Sequence, residues 1–204
     1  MPQGSRYKRN RKKDKKFMYL GLKPLNTLWL AFFCFLGMSM LSLDRGQAEE
    51  LSSRWVIDQY TKSRLFIGGY DKERKILHMG WQISLKEGWK TYWRSPGAAG
   101  LPPRWHWKAQ ENIRSIQVNW PLPEKLNIFD MDTYIYHDEV ILPIEVTVID
   151  DQKPLSLSLD LEFMICEEVC IPLEGSYELQ VKDLGNAKVS LYQQALLKRY
   201  ADLV

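Results

Sequence analysis

Cysteine and histidine, the residue types that build most metal and redox sites, are scarce in this chain, with three of each in 204 residues. None of them follows the Cys-x2-Cys or His-x3-His spacing that is common in zinc sites. A metal site would have to add His106 or His137 to a cysteine pair, and no motif supports that alternative. We therefore expect no metal and no bound cofactor.

Basic charge is also lacking in the main part of the chain, although the whole sequence has a formal net charge of +3. Residues 1–48 hold ten of the 28 Lys and Arg residues and two of the 25 Asp and Glu residues. This leaves 18 basic and 23 acidic residues in 49–204, a net charge of −5. Nucleic-acid binding depends on a basic surface, so we expect no nucleic acid as a partner.

The basic N-terminal residues belong to a pattern that is typical of an export signal. A basic stretch ends near Lys23, an apolar run extends from Thr27 to Leu43, and Gly46-Gln47-Ala48 supplies small residues for cleavage after position 48. The apolar run is also long enough for an uncleaved inner-membrane anchor, and both alternatives stay open. In either case the positive end remains in the cytoplasm and the body is exported.

Most of the exported body consists of short segments in which apolar and polar residues alternate, at intervals of about ten residues. The clearest segment is Ile76–Leu85, and a turn at 86–88 follows it. This pattern predicts an antiparallel β-sandwich over residues 49–184. The other predicted strands are Trp55–Ile57 at an edge, Arg64–Gly69, Trp89–Arg94, Trp105–Lys108, Ser115–Trp120, Thr133–Tyr136, Val140–Ile149, Leu155–Cys166 and Ser176–Lys182.

Only residues 185–204 change to a helical period. Their apolar positions predict an amphipathic C-terminal helix that packs on one edge or end of the sandwich. These positions are Val189, Tyr192, Leu196, Tyr200 and Leu203.

Two cysteines lie at the end of the most regular of the alternating segments. Apolar residues at every second position of 155–165 share one face, so that Cys166 emerges on the opposite, polar face. Pro172 and Gly175 interrupt the pattern, and we expect the next strand to begin only after them. Cys166 and Cys170 are therefore predicted to lie on a turn between two strands.

Signal cleavage would remove Cys34 and leave Cys166 and Cys170 as an even pair, which predicts a disulfide in an oxidising compartment. In the chain-entropy model, a disulfide that closes a five-residue loop stabilises the fold by only about 2 kcal/mol, whereas one that closes a hundred-residue loop contributes about 4.7 kcal/mol. The short spacing does keep two sulfurs close enough to interconvert between dithiol and disulfide with little backbone movement. The residues favour a redox pair, and a structural disulfide in a binding or assembly module remains the alternative.

The residues around the pair indicate what kind of redox chemistry suits it. Glu167 and Glu168 disfavour a further negative charge, so we expect them to raise the pKa of the thiols. Such a pair is better suited to being attacked as a disulfide, or to handing electrons to a selected partner, than to aggressive nucleophilic attack. Because Val169 and Ile171 flank Cys170, we expect Cys170 to be the more buried cysteine.

Four stretches of the sequence together resemble one protein family. They are Gly88–Pro103 (GWKTYWRSPGAAGLPP), Trp120–Pro123 (WPLP), Tyr136–Pro143 (YHDEVILP) and Cys166–Pro172 (CEEVCIP). Over about 65–182 the chain resembles the N-terminal periplasmic domain of the thiol:disulfide interchange protein DsbD. The resemblance is strongest to relatives in the suppressor-of-copper-sensitivity group.

This resemblance implies an immunoglobulin-like sandwich, and it makes Cys166 and Cys170 the redox pair of a protein-disulfide reductase-type domain. In the family the pair receives electrons from a membrane-embedded domain and passes them to periplasmic isomerases and cytochrome c maturation proteins. The better-studied members have more residues between their cysteines, and no further spanning helix or Cys-x-x-Cys module follows here. We therefore expect a stand-alone carrier, a truncated relative, or a partner of a separate membrane thiol reductase subunit. The resemblance implies that such a relay depends on other proteins, namely a membrane thiol reductase and thioredoxin-like or cytochrome c maturation partners.

Aromatic residues are concentrated upstream of the cysteine pair. We expect most of them to form the core of the sandwich and its rim, foremost Trp81. Since a cap over the disulfide exists in the family, Phe129–Tyr136 with Asp130 and Asp132 is the candidate cap here. The aromatic residues concerned are Trp81, Trp89, Tyr92, Trp93, Trp105, Trp107 and Trp120.

Overall fold

The computed structural model of the protein describes residues 51–128 and 130–204, and in this part of the chain eleven strands precede one helix. The elements are β1 Val56–Ile57, β2 Thr61–Asp71, β3 Ile76–Leu85, β4 Lys90–Gly97, β5 Arg104–Glu111, β6 Ile113–Val118, β7 Glu124–Ile128, β8 Met131–His137, β9 Glu139–Val148, β10 Leu155–Cys166, β11 Cys170–Val181 and α1 Leu191–Ala201.

The strands form two antiparallel sheets. The first sheet has the order β1-β2-β3-β9-β6, and the second has the order β11-β10-β4-β8-β7. Strand β10 pairs with β11 along one edge, while its other edge pairs with β5 over 156–162 and with β4 at 165–166. The sheets enclose one main hydrophobic core between them. The predicted immunoglobulin-like antiparallel sandwich is therefore confirmed.

Strands β3 and β10 contribute regular rows of side chains to this core. Apolar residues alternate along both strands, so one face of each strand can turn away from water, and each fully buried side chain contributes about 1.5–3 kcal/mol. Trp81 is fully buried and meets Trp105 and Phe163 edge-on, which confirms its predicted place in the core. The buried rows are Leu77, Met79, Trp81, Ile83 and Leu85 on β3 and Leu155, Leu157, Leu159, Leu161, Phe163 and Ile165 on β10.

Strand β11 begins at Cys170, earlier than the sequence pattern predicts. The expectation that a strand starts only after Pro172 and Gly175 is wrong, because both residues lie within the β10–β11 ladder. Strand β11 is the edge of its sheet, where one side of the backbone needs no ladder partner, so a proline is tolerated. The two cysteines consequently belong to one continuous hairpin. Strand β7 was not predicted.

Helix α1 packs on the outer face of the first sheet, and not on an edge or end of the sandwich as predicted. Leu197 is buried against Phe66 and Ile141, whose side chains point away from the main core. Gly68 leaves room for this contact, since a Cβ there would come within 2.3 Å of the leucine side chain. The helix begins with Ser190 as its N-cap in a complete capping box.

Within the described ranges, no helix has the length and apolar character needed to cross a membrane. The predicted export signal of residues 1–48 lies outside the described residues.

Candidate redox site at the β10–β11 hairpin

The two cysteines are directly opposite each other across a tight hairpin. Cys166 is the last residue of β10 and Cys170 is the first residue of β11, and the two are partners in the strand register. Their Cα atoms are 4.1 Å apart and their sulfurs form a disulfide. Only three residues close the turn, and the Glu167 N–H donates a hydrogen bond to the Val169 carbonyl at 3.3 Å. The disulfide thus joins two strands that the backbone already holds together.

The two sulfurs have different access to solvent. Cys166 is only 2% exposed, whereas Cys170 lies on the exposed surface. The prediction that Cys170 is the more buried cysteine is therefore wrong. Cys166 lies between two neighbouring strands, where it pairs with Cys170 on one side and with Lys90 on the other. Cys170 lies on the edge strand, which leaves one of its sides open.

Cys166 belongs to a small apolar cluster that is separate from the main core. Its side chain emerges on the face of β10 opposite the core row, as the alternation predicts, but this face is covered here. Tyr92 from β4 and Ile135 from β8 are buried with it, and Leu126 and Met164 pack around them. We call these five residues the outer-face cluster. It shields one sulfur from water and leaves the other accessible.

A tyrosine hydroxyl lies against the disulfide. Tyr92 Oη donates a hydrogen bond to Cys166 Sγ at 2.9 Å and is 3.8 Å from Cys170 Sγ. Burial raises the pKa of Tyr92, so the phenol keeps its proton and remains a donor. Gly100, at φ +86°, packs on the aromatic ring, where an added Cβ would lie 2.2 Å from a ring carbon. The Gly/Pro loop 98–103, between β4 and β5, is therefore in direct contact with this tyrosine.

A cation is fixed beside the hairpin turn. Lys90 Nζ donates hydrogen bonds to the carbonyl oxygens of Glu167 at 3.0 Å and Cys166 at 3.4 Å. The positive charge of Lys90 favours the thiolate form of the cysteines, whereas the exposed side chains of Glu167 and Glu168 are expected to disfavour it. That these glutamates raise the pKa of the thiols stays a prediction. Nothing in the sequence pattern singled out Lys90, because 76 residues separate it from Cys166.

The histidines considered as metal ligands are bound to carboxylates. His106 Nε2 is 3.1 Å from Glu162, and His137 lies between Glu124 at 2.6 Å and Asp138 at 2.9 Å. Among the residues that the structure describes, no group of three or more His, Cys, Asp and Glu side chains could hold a metal ion.

The candidate cap lies next to the site only in part. Phe129 is outside the described residues, and the rest of the segment forms β8 with the turn before it. Strand β8 pairs with β4, which brings Ile135 opposite Tyr92 in the outer-face cluster. Asp132 forms an ion pair with Lys125 at 2.8 Å near the turn of the β7–β8 hairpin, away from Ile135. A capping role for Phe129–Tyr136 stays a prediction.

Comparison with known proteins gives one family and a related fold. The model of the family "Thiol:disulfide interchange protein DsbD, N-terminal" matches residues 66–182. No curated protein matches the chain. The N-terminal periplasmic domain of ScsB from Proteus mirabilis is 23% identical with a TM-score of 0.58, and the alignment covers 74% of this chain and 59% of that chain.

A second solved structure is less similar. The DsbD N-terminal domain of Neisseria meningitidis in its reduced form is 13% identical with a TM-score of 0.37, and 59% of this chain and 85% of that chain are covered. The family match extends over more than half of the sequence and includes the hairpin with both cysteines. The chain therefore belongs to the family of DsbD N-terminal domains, whose general chemistry is thiol–disulfide exchange.

Proposed function

We propose that Cys166 and Cys170 are the redox pair of a periplasmic electron relay. In this proposal the pair receives two electrons from a membrane-embedded thiol reductase and passes them to thioredoxin-like or cytochrome c maturation proteins. The observation that carries the proposal is the unequal access to the two sulfurs of one short hairpin, with Cys166 buried and Cys170 exposed. A partner thiol can reach Cys170 without unfolding of the domain.

Reduction of the pair begins at the exposed sulfur. A thiolate of the donor attacks Cys170 Sγ, the bond between Cys166 and Cys170 breaks, and a disulfide forms between donor and Cys170. Cys166 leaves with the electron pair as a thiolate and then takes up a proton. A second thiolate of the donor then attacks the donor sulfur in the mixed disulfide and releases Cys170 as a thiolate, which takes up a proton. Two electrons and two protons have then entered the pair.

Delivery of the electrons follows the reverse order. The Cys170 thiolate attacks the disulfide of the oxidised partner, and Cys166 then attacks Cys170 Sγ to release the reduced partner. Tyr92 acts on Cys166 in both directions, because a hydrogen bond to the thiolate lowers the pKa of Cys166. In reduction this makes Cys166 a better leaving group, and in delivery it increases the fraction of Cys166 that is present as the attacking thiolate. The Tyr92 hydroxyl is already within 2.9 Å of Cys166 Sγ in the oxidised protein.

The proposal also covers export and domain boundaries. In it, residues 1–48 direct export as a cleaved signal or as an inner-membrane anchor, 49–184 form the exchange domain, and 185–204 add the C-terminal helix. Membership of the DsbD N-terminal family supports a periplasmic location. Fractionation of cells that produce the full chain, with N-terminal sequencing of the mature protein, tests these boundaries.

Single-cysteine variants test the assignment of the two sulfurs. In the reduced protein, we expect iodoacetamide to modify the thiol of Cys170 in Cys166→Ala at least ten times faster than the thiol of Cys166 in Cys170→Ala, because burial blocks access. Only Cys166→Ala should trap a periplasmic partner as a mixed disulfide. Equal labelling rates, or trapping through Cys166, would contradict the assignment. Full biological activity of a folded variant with both cysteines replaced by serine would instead support a binding or assembly module with a structural disulfide.

A further inference from the structure

A shallow pocket of about 100 Å³ opens on the outer face of the second sheet, beside the disulfide. Leu101 and Pro102 from the Gly/Pro loop and Met164 and Pro172 from the hairpin strands supply its apolar lining. Pro172 follows Cys170 by two residues on the same face of β11, which places the pocket about 7 Å from the exposed cysteine. Met164 is also a member of the outer-face cluster. The pocket is therefore continuous with the surface on which thiol exchange is proposed.

Two carboxylates face each other at the rim of this pocket. Glu162 on β10 and Glu174 on β11 are partners in the strand register, an arrangement that is unfavourable for like charges. Glu162 has an ion pair with Arg104 at 3.9 Å, and its other neighbour is the His106 ring at 3.1 Å. Within the described part of the chain, Glu174 has no ion pair and no side-chain hydrogen bond. Arg104 also lines the pocket, but its ion pair is with Glu162, so among the described residues Glu174 is the rim carboxylate without an ion pair.

We infer that the pocket and Glu174 form a docking site for the cysteine-bearing segment of a partner protein. The segment would place an apolar side chain in the pocket, two residues from its reactive cysteine. A Lys or Arg four residues from that cysteine would then pair with Glu174, which lies about 13 Å from Cys170 along the strand. The inference rests on the proposed function, and it adds the chemistry by which the redox partner is recognised.

Synthetic peptides with a single cysteine provide the probe. Each is a five-residue peptide with cysteine at one end, leucine two residues away and lysine four residues away, with glycine between them, made in both chain directions. Matched peptides replace the lysine by glutamate or the leucine by serine. The rate of mixed-disulfide formation with the oxidised protein is followed by acid quenching and mass spectrometry. Each rate is divided by that peptide's rate with a small-molecule disulfide.

In at least one chain direction we expect the lysine peptide to react about threefold faster than the glutamate peptide, the size of effect that an exposed ion pair provides. Replacement of leucine by serine should also slow the reaction. The preference for lysine should disappear in Glu174→Gln. It should persist in Glu178→Gln, a control on the same face of β11 whose register partner is Ser158.

An equal preference for lysine in the native protein and in Glu174→Gln would overturn the inference, as would the lack of any advantage of leucine in both chain directions. These outcomes are distinct from failure of the proposed function. If Cys170 reacts with all peptides at the same normalised rate, thiol exchange stands and only the docking site is lost. If no peptide forms a mixed disulfide, both proposals fail.

Discussion

Cys166 and Cys170 are the same kind of side chain in different surroundings. One sulfur is buried among apolar residues and accepts a hydrogen bond from Tyr92, while the other lies on an exposed edge strand. The difference assigns each sulfur a separate step, because attack requires access and departure requires stabilisation of the resulting thiolate. Tyr92 supplies this stabilisation, because its hydroxyl donates a hydrogen bond to the buried Cys166 Sγ.

Tyr92→Phe should lower the reduction potential of the pair. Hydrogen bonds to charged groups contribute about 1.5–3 kcal/mol and those between neutral groups about 0.5–1.5 kcal/mol, so the hydroxyl stabilises the thiolate more than the disulfide. A difference of about 1 kcal/mol corresponds to about 20 mV for a two-electron couple. Equilibration with glutathione buffers at alkaline pH, where the thiols of the reduced pair are ionised, measures the shift. The control is Tyr134→Phe, whose ring packs on Trp93; an equal shift in both variants would refute the assigned role.

His137 should make stability depend on pH. Hydrogen bonds to Asp138 and, secondarily, Glu124 raise the pKa of His137 above its ordinary value of 6.5. A raised pKa means that the protonated form stabilises the folded state, so this contribution is full below pH 6.5 and is lost as pH rises through the folded-state pKa. Because the side chain is half-exposed, we expect a loss of about 0.2–1 kcal/mol.

Urea unfolding between about pH 5.5 and 8.5 measures this loss. In His137→Gln the decline should be absent, and in Asp138→Asn it should be smaller, with the positive φ of residue 138 preserved because asparagine tolerates that conformation. A decline of the same size in all three proteins would show that other groups cause it.

At the scale of strands and loops, alternation of apolar residues was the reliable signal. It predicted β3 with its observed bounds and the buried row of β10, because a strand with one buried face must repeat every two residues. It failed at β11, where Pro172 and Gly175 indicated a break although an edge strand accommodates both. The flanking residues Val169 and Ile171 were also misleading, because Val169 lies in the exposed turn and Ile171, as the next residue of the strand, faces the side opposite to Cys170.

The contact between Tyr92 and Cys166 could not be predicted from the sequence. The two residues are 74 positions apart, and only the pairing of β4 with the end of β10 brings them together. The cysteines themselves were recognisable because their chemistry and spacing are local. A contact between distant strands leaves no mark in a local pattern.

The loop over Tyr92 provides an element-scale prediction. Gly100→Ala should reduce the free energy of unfolding by about 1–3 kcal/mol, since position 100 has φ +86° and the new Cβ would overlap the ring of Tyr92. Displacement of the ring should lower the reduction potential, as in Tyr92→Phe. Denaturant unfolding and redox titration measure the two effects. Gly69→Ala is the control, because nothing lies within 4 Å of a Cβ built there; equal losses in both variants would contradict the argument.

Across the whole domain, the two sheets use their outer faces differently. The first sheet buries Phe66 and Ile141 beneath α1, and the second sheet carries the disulfide with its outer-face cluster. Stability of the helix contact and chemistry of the disulfide should therefore vary independently, because sites without shared contacts are usually additive.

Leu197→Ala tests this separation. We expect the free energy of unfolding to fall by about 2–3 kcal/mol, the cost of a cavity at a buried leucine, with no change in the reduction potential. Urea unfolding and redox titration supply the two readouts. Leu191→Ala, at a position 82% exposed, should change stability by no more than about 0.5 kcal/mol. A shift of the potential in Leu197→Ala would show that the two faces are coupled.

The reduction potential of the native pair tests the central claim most directly. Structural disulfides of secreted proteins have potentials below about −300 mV, whereas exchanging pairs lie higher. The protein should be equilibrated with glutathione or dithiothreitol buffers, and its thiols quantified after acid quenching. We predict a potential well above about −300 mV for the Cys166–Cys170 couple. A value below that limit would contradict the relay and identify the bond as structural.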